Sequence, residues 1–250
     1  MKKQFTIGGI FLISYVGFLI ATLPATVLLN QFPPPNNIRI SGVTGNVWHA
    51  NIKQLIVGKV SIQKVNTRLS IWSLFTLTPK LSITFGDPFI AGPEGELELT
   101  LSQEKAQISD LQLFVNANDI AQQLILPLPM SAQGDVELTV LSAEIDLQKG
   151  NQCIAVKGSA AWSKAGVLAL EQKIKLGNLQ ADIACDNGAL AVIVSPKNDL
   201  GLTFSAFVRS GGNISGNGFL KPGAKFPEAL NDALPFLGSK DSQGRYRLSF

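Results

Sequence analysis

Acidic side chains are missing from the first third of this 250-residue chain. No Asp or Glu stands before Asp87, whereas Lys2, Lys3, Arg39, Lys53, Lys59, Lys64, Arg68 and Lys80 all do. The remaining 13 basic and all 18 acidic residues follow, so a basic front leads into a mildly acidic body. Such a gradient sets the basic residues either against anionic lipid headgroups, each contributing ~1 kcal/mol at the surface, or on the solvated outer faces of strands. Histidine occurs once, as His49, and one histidine without partners at ligand spacing does not make a zinc site. Charged residues are only 16% of the chain and the net charge is +3. That leaves no phosphate-neutralising patch, which argues against nucleic acid as a partner. With 46% hydrophobic residues and 23 glycines the chain is also too apolar to be disordered.

Charge of either sign is absent between Lys3 and Arg39, and within that gap Ile7 to Leu29 is strongly apolar. A hydrocarbon core of about 30 Å takes roughly 20 apolar helical residues, and Ile7 to Leu23 nearly suffices before Pro24 interrupts. Residues 1–29 are therefore expected to be a cytoplasmic tip and transmembrane anchor. A cleaved signal peptide would end in small residues of A-x-A type, whereas Leu23-Pro24-Ala25 stands here, so the anchor is read as retained. Lys2 and Lys3 hold the N-terminus inside by the positive-inside rule, which puts the body on the extracytoplasmic side. Residues 30–37 contain FPPPNN and read as a stiff, extended, Pro-rich spacer. Residues 38–250 then form a periplasmic β-rich domain. The two cysteines, Cys153 and Cys185, lie on the oxidising side, and their even count favours a disulfide over two separate buried thiols.

From Ile38 onward the dominant hydrophobic period is two. Leu97, Leu99 and Leu101 alternate with Glu96, Glu98 and Thr100, and Val136, Leu138 and Val140 alternate with Glu137 and Thr139. Turn signals punctuate these half-buried strands at Gly58-Lys59, Gly92-Pro93, Lys149-Gly150-Asn151, Asn187-Gly188, Ser195-Pro196 and Gly211-Gly212. Between Ile174 and Leu220 at least four strands follow one another, with Asp186-Asn187-Gly188 offering a type I′ hairpin turn. Helices are expected to be few: Ile120 to Leu126, capped by Asn118-Asp119 and stopped by Pro127, and Glu228 to Leu234, opened by Pro227 and ended by Gly238. The expected fold is mostly β: an N-terminal transmembrane helix followed by a twisted, largely antiparallel meander sheet with one or two short helices.

Catalytic signals are scarce. Two S-x-x-K matches, Ser61 to Lys64 and Ser102 to Lys105, lack the accompanying S-D-N and K-T-G, and Ser and Lys three apart on a strand face opposite ways. The glycines from Gly211 to Gly218 match no nucleotide-binding spacing and read as turn residues. Glu94, Glu96 and Glu98 share one strand face, and nothing beyond their proximity marks a glycosidase-like pair. The chain thus carries no expected catalytic, cofactor-binding or metal residues, no cofactor and no small-molecule substrate; it is not expected to be an enzyme.

The order of pieces resembles a known family over nearly the whole chain. A short basic start and an apolar helix ending in Leu23-Pro24-Ala25 precede Ser41-Gly42-Val43-Thr44-Gly45-Asn46-Val47-Trp48. A strand entering Leu69-Ser70-Ile71-Trp72-Ser73-Leu74-Phe75 follows, and the chain closes with Asp241 and Gly244-Arg245-Tyr246. In this order they resemble the protein N family of bacterial type II secretion. The chain departs from it in lacking a second tryptophan just before Trp72 and in continuing Thr76-Leu77-Thr78 where members often show a Gly. The resemblance implies an inner-membrane accessory or scaffold of the secretion machine, single-pass, N-terminus cytoplasmic, bulk periplasmic. Its partners would be other inner-membrane platform proteins and inner-membrane lipids. Gly42, Gly45, Trp48 and Trp72 are the candidate partner contacts, since small residues permit close approach and large aromatics supply buried area; both tryptophans could instead be core. The alternative is an AsmA-like periplasmic protein that carries lipid or another apolar ligand on a curved sheet.

Overall fold

The computed structural model describes residues 2–31, 34–35, 37–58, 60–122, 130–169 and 172–249. Among them a single antiparallel sheet of 13 strands runs in strict chain order, each strand pairing with the next. The strands are β1 (Ile38–Gly45), β2 (His49–Val57), β3 (Val60–Leu69), β4 (Lys80–Asp87), β5 (Ile90–Leu101), β6 (Lys105–Asn116) and β7 (Met130–Asp146), followed by β8 (Gln152–Ala169), β9 (Gln172–Asp186), β10 (Ala189–Val194), β11 (Leu202–Val208), β12 (Ile214–Leu220) and β13 (Tyr246–Ser249). The sheet is not closed: β1 and β13 are its two edges. Short connections keep sequential strands adjacent, which is why a chain of alternating period and frequent turn residues folds as a meander.

The expected hairpin at Asn187-Gly188 is present. Both residues have positive φ, 48° and 78°, as a type I′ turn requires, and they join β9 to β10 with Ala189 opposite Asp186. Cys153 of β8 and Cys185 of β9 are disulfide-bonded with Cα atoms 5.5 Å apart. The Cys153 amide also donates to the Gly188 carbonyl at 2.9 Å, so the bond ties the start of β8 to that turn.

Several expectations are corrected. The single membrane segment over 7–29 is instead two helices, α1 (Lys2–Thr22) and α2 (Ala25–Gln31), separated at Leu23-Pro24, where Pro24 forms an isolated bridge with Asn46. Proline ends α1 because it blocks helical geometry in the residue before it. Among the described residues no helix is long and apolar enough to cross a membrane; the side chains of residues 2–8, 10 and 13 lie outside that description. Of the spacer, Phe32, Pro33 and Asn36 fall outside the described residues. Gly92-Pro93 is not a turn but lies inside β5, opposite the register slip between Phe85 and Asp87, where Pro93 has no ladder partner to lose.

The strand expected to enter Ile71 stops at Leu69. Residues Ile71–Phe75 form a short helix, α3, and Ser73 explains it: its hydroxyl donates to the Ser70 carbonyl at 2.6 Å and accepts from the Lys80 amide at 2.9 Å, closing a loop no strand could make. The helix expected over 120–126 starts earlier, as α4 (Ala117–Ala121), with Asn116 as cap accepting from the Asn118 amide; residues 123–126 lie outside the described ones. The last helix is a 3₁₀ helix, Glu228–Leu237, not an α-helix. Pro235 sits inside it and lacks the N–H an α-helix would need there, and Pro227 is its cap residue.

That 3₁₀ helix lays Leu230 and Leu234 onto a core of Ala165, Ile174, Leu176, Leu200, Leu220 and Tyr246, with Trp162 and Leu179 at its margin. The Trp162 indole donates to the Gln133 carbonyl at 2.9 Å, which satisfies its polar edge. The closing motif fastens the last strand beside this core. Asp241 accepts from the amides of Gln243 and Arg245, and its other oxygen takes two guanidinium bonds at 2.8 Å. Those bonds, the Arg245 amide first, hold the Asp241 carboxyl below the usual carboxylate range. The Arg245 guanidinium in turn lies 4.0 Å over the Phe219 ring.

Candidate functional site

Two concave surfaces stand out, at different places on the sheet. The first lies where α1 meets the β1–β2 turn. Four contacts join them: the Val47 amide donates to the Leu23 carbonyl at 2.9 Å, the Trp48 indole to the Ile20 carbonyl at 3.1 Å and the Asn46 amide group to the Ala21 carbonyl at 3.4 Å, beside the Pro24–Asn46 bridge. The carbonyls they occupy are those a helix C-terminus leaves without intrahelical partners. Beside this joint an apolar cleft of about 480 Å³ is lined by Gly17, Ile20 and Ala21 of α1, by Trp48, and by Ile71, Leu74 and Phe75 of α3.

The candidate contact residues thus divide by role. Trp48 is half-buried and fastened to α1; Trp72 is 81% exposed on the outer side of α3, tilted against Phe75 at 5.9 Å between ring centroids. Neither tryptophan belongs to the buried core. Gly42 and Gly45 are held by their own hairpin. Gly45 has φ +90°, and a Cβ there would stand 2.2 Å from the His49 carbonyl oxygen; Gly42, at φ +66°, faces Lys53 where the β1–β2 register skips a pair. Their close approach is therefore intramolecular. Leu77, at φ +56°, occupies the left-handed region that favours glycine.

The second surface is a trough of about 400 Å³ on the face that carries the core. It is lined by Ile108, Leu111, Leu138, Val140, Ile183 and Leu190, with Arg209 to Gly212 at its rim. Core and trough share a face because β9 continues from Leu179 to Ile183 by even steps once past the bulge at Gly177, where the β8–β9 register slips. The 3₁₀ helix covers one end of that face and leaves the other open. Periodicity announced Leu138 and Val140 as facing inward; that the inside would be a trough depended on where the helix docks.

Residues weighed for chemistry are placed as structural parts. Ser102 and Lys105 close the β5–β6 turn, the Ser102 hydroxyl accepting from the Lys105 amide at 2.9 Å. Ser61 accepts from the side-chain amides of Gln54 and Gln63. Glu98 pairs with Lys80 at 2.5 Å. His49 is exposed, its amide donating to the Asn46 side chain. Among the described residues no group of three or more His, Cys, Asp or Glu could hold a metal ion. Sequence reading missed Asp87, the one charged side chain buried among the described residues. The Lys64 ammonium, 2.8 Å away, and the Phe89 amide hold its carboxyl below the usual range.

The model of the family "Type II secretion system (T2SS), protein N" matches residues 36–249. The chain belongs to the type II secretion system protein N family. Three relatives, each named type II secretion system protein N, align along almost their full lengths. That of Aeromonas hydrophila is 28% identical and covers 100% of this chain and 98% of the relative. That of Vibrio cholerae is 25% identical over 98% and 97%, and that of Klebsiella pneumoniae is 27% identical over 98% and 94%. No solved structure matches this chain. Within this family member, the segment Gly42 to Trp48 is the hairpin that grips α1, and Asp241 with Arg245 is the clasp of β13.

Proposed function

We propose that this protein is an inner-membrane accessory of the type II secretion system, a scaffold that supports export of folded proteins from the periplasm through protein–protein contacts. It is anchored by its N-terminal helices with the N-terminus in the cytoplasm and the sheet in the periplasm. The observation that carries the reading is a family member whose single sheet ends in two unpaired edges, since edge N–H and C=O groups can pair with a partner strand. At the far edge, β13 pairs with Asn217 to Leu220, and among the described residues Ile214 and Ser215 of β12 have no ladder partner on that side. Anchoring is supported by the side chains of Phe11, Leu12, Phe18 and Ile20, all exposed on α1, and by the absence of charge between Lys3 and Arg39. The disulfide fits an oxidising compartment.

A photo-crosslinking residue replacing Thr44 on the β1 edge or Ser215 beside β13 should capture inner-membrane platform proteins in cells. Alkaline phosphatase fused after Phe250 should be active. Capture of no secretion component, or an inactive phosphatase beside a fluorescent GFP fusion at the same site, would refute the assignment. The trough favours a second reading, carriage of a lipid or another apolar ligand. Native mass spectrometry separates the two, because a scaffold emerges empty and a carrier emerges with stoichiometric lipid.

A further inference from the structure

We propose that α3 is a membrane foot: the loop from Ile71 to Leu77 seats its aromatic side in the headgroup layer of the bilayer that holds α1. This rests on the anchoring reading above. In a meander, successive turns alternate between the two ends of the sheet. The β1–β2 turn grips the last residues of α1, and the β3–β4 connection that carries α3 is the next turn at that same end. The foot therefore stands beside the point where α1 leaves the domain, and Ile71, Leu74 and Phe75 share a cleft with Gly17, Ile20 and Ala21 of that helix.

The composition of the loop fits a lipid interface and not water. Ile71 to Leu77 carries no charge, and Ser73 and Thr76 are its only polar residues. Ser73 is turned inward by its bonds to Ser70 and Lys80, and the Thr76 hydroxyl donates to the Ser73 carbonyl at 2.9 Å. The apolar side chains are thereby left outermost: Trp72, Phe75 at 78% exposure and Leu77 at 79%. A single exposed aromatic would be unremarkable, and Phe89, at 91%, lies at the opposite end of the sheet. Five large apolar side chains, Ile71, Trp72, Leu74, Phe75 and Leu77, on one loop beside an apolar helix make a continuous surface, with tryptophan where amphipathic rings concentrate at bilayer interfaces.

Charge selects the occupant. Arg68 precedes the loop by three residues, and Lys80, paired with Glu98, follows it by three. The Arg68 guanidinium complements an anionic headgroup, so the occupant is a bilayer containing anionic phospholipid; a protein partner is the competing outcome.

The test uses the full-length chain in nanodiscs of phosphatidylcholine and phosphatidylglycerol, plain or brominated near the headgroup end of the acyl chains. The contribution of Trp72 is the difference between the wild-type emission and that of Trp72→Phe, a substitution at an exposed position that leaves the core intact. Brominated discs should remove more than half of that contribution, and quenching by aqueous iodide should fall several-fold relative to the chain held in amphipol. Equal Trp72 emission in plain and brominated discs, with iodide access unchanged, overturns the proposal. So does shielding of Trp72 only after platform proteins are added, which would make α3 a protein contact. Carbonate extraction of cell membranes distinguishes the two layers of inference: a chain that stays with the membrane while Trp72 remains unquenched sinks the foot alone, whereas a released chain sinks the anchor as well.

Discussion

Breaking the Cys153–Cys185 bond should cost this sheet more than any single surface contact. The cysteines are 32 residues apart in sequence, and in the chain-entropy treatment a loop of that length confines the unfolded state by about 3 to 4 kcal/mol. The replacement Cys153→Ala with Cys185→Ala removes the link without adding a buried polar group. Urea unfolding of the detergent-solubilised chain, followed by fluorescence, is the assay, with Trp162 as the reporter nearest the core. With a slope of about 2 to 3 kcal/mol per M, the midpoint should fall by about 1 to 2 M, and a thiol reductant should bring the wild type to the same place. Most of the shift belongs to the unfolded state, so the folded variant should keep its β-sheet circular dichroism. An unchanged midpoint, or two free thiols in protein taken from native membranes, would refute the reasoning.

Three further outcomes are expected. Leu234→Ala removes the residue by which the 3₁₀ helix enters the core, and the lost burial and cavity should destabilise by about 2 to 5 kcal/mol, read as a lower urea midpoint and faster proteolysis near residues 228–237. Gly45→Ala should destabilise the β1–β2 hairpin by more than about 1 kcal/mol, because its φ is +90° and the new Cβ meets the His49 carbonyl; a neutral thermal midpoint would contradict the backbone placement. The carboxyl of Asp87 has a folded value below its unfolded value of about 3.9, so its contribution is full above that value and is lost as pH falls through the lower folded one. The thermal midpoints of wild type and Asp87→Asn should therefore differ near neutral pH and converge in acid; a gap that persists there would show that the charge is not responsible.

What could be read from residue order was what neighbours in sequence decide. Alternation at Leu138 and Val140 and the turn chemistry of Asn187-Gly188 specify strands and a tight hairpin through local geometry, and the observed meander follows from them. The disulfide followed from an even cysteine count and a compartment, and the β8–β9 pairing brings the two residues within reach. The helix at Ile71–Phe75 was misread as strand because apolar residues without a period fit either state; two bonds of Ser73 to residues on both sides decided it. Pro93 read as a turn until the bulge beside it removed the need for its missing donor.

By itself the sequence determined the class of this protein: strands in succession, a charge-free apolar start, an oxidisable cysteine pair and the ordered motifs of its family. Only the tertiary structure decided that Trp48 grips α1 while Trp72 points outward, that Asp87 is buried against Lys64, and that one sheet face is half core and half open trough. The physical reason is reach. Period and turn chemistry act over a few residues, whereas which surface is covered depends on bulges that accumulate along many strands and on where one helix comes to rest, covering Ala165, Ile174 and Leu176 from far along the chain as well as its neighbours Leu220 and Tyr246.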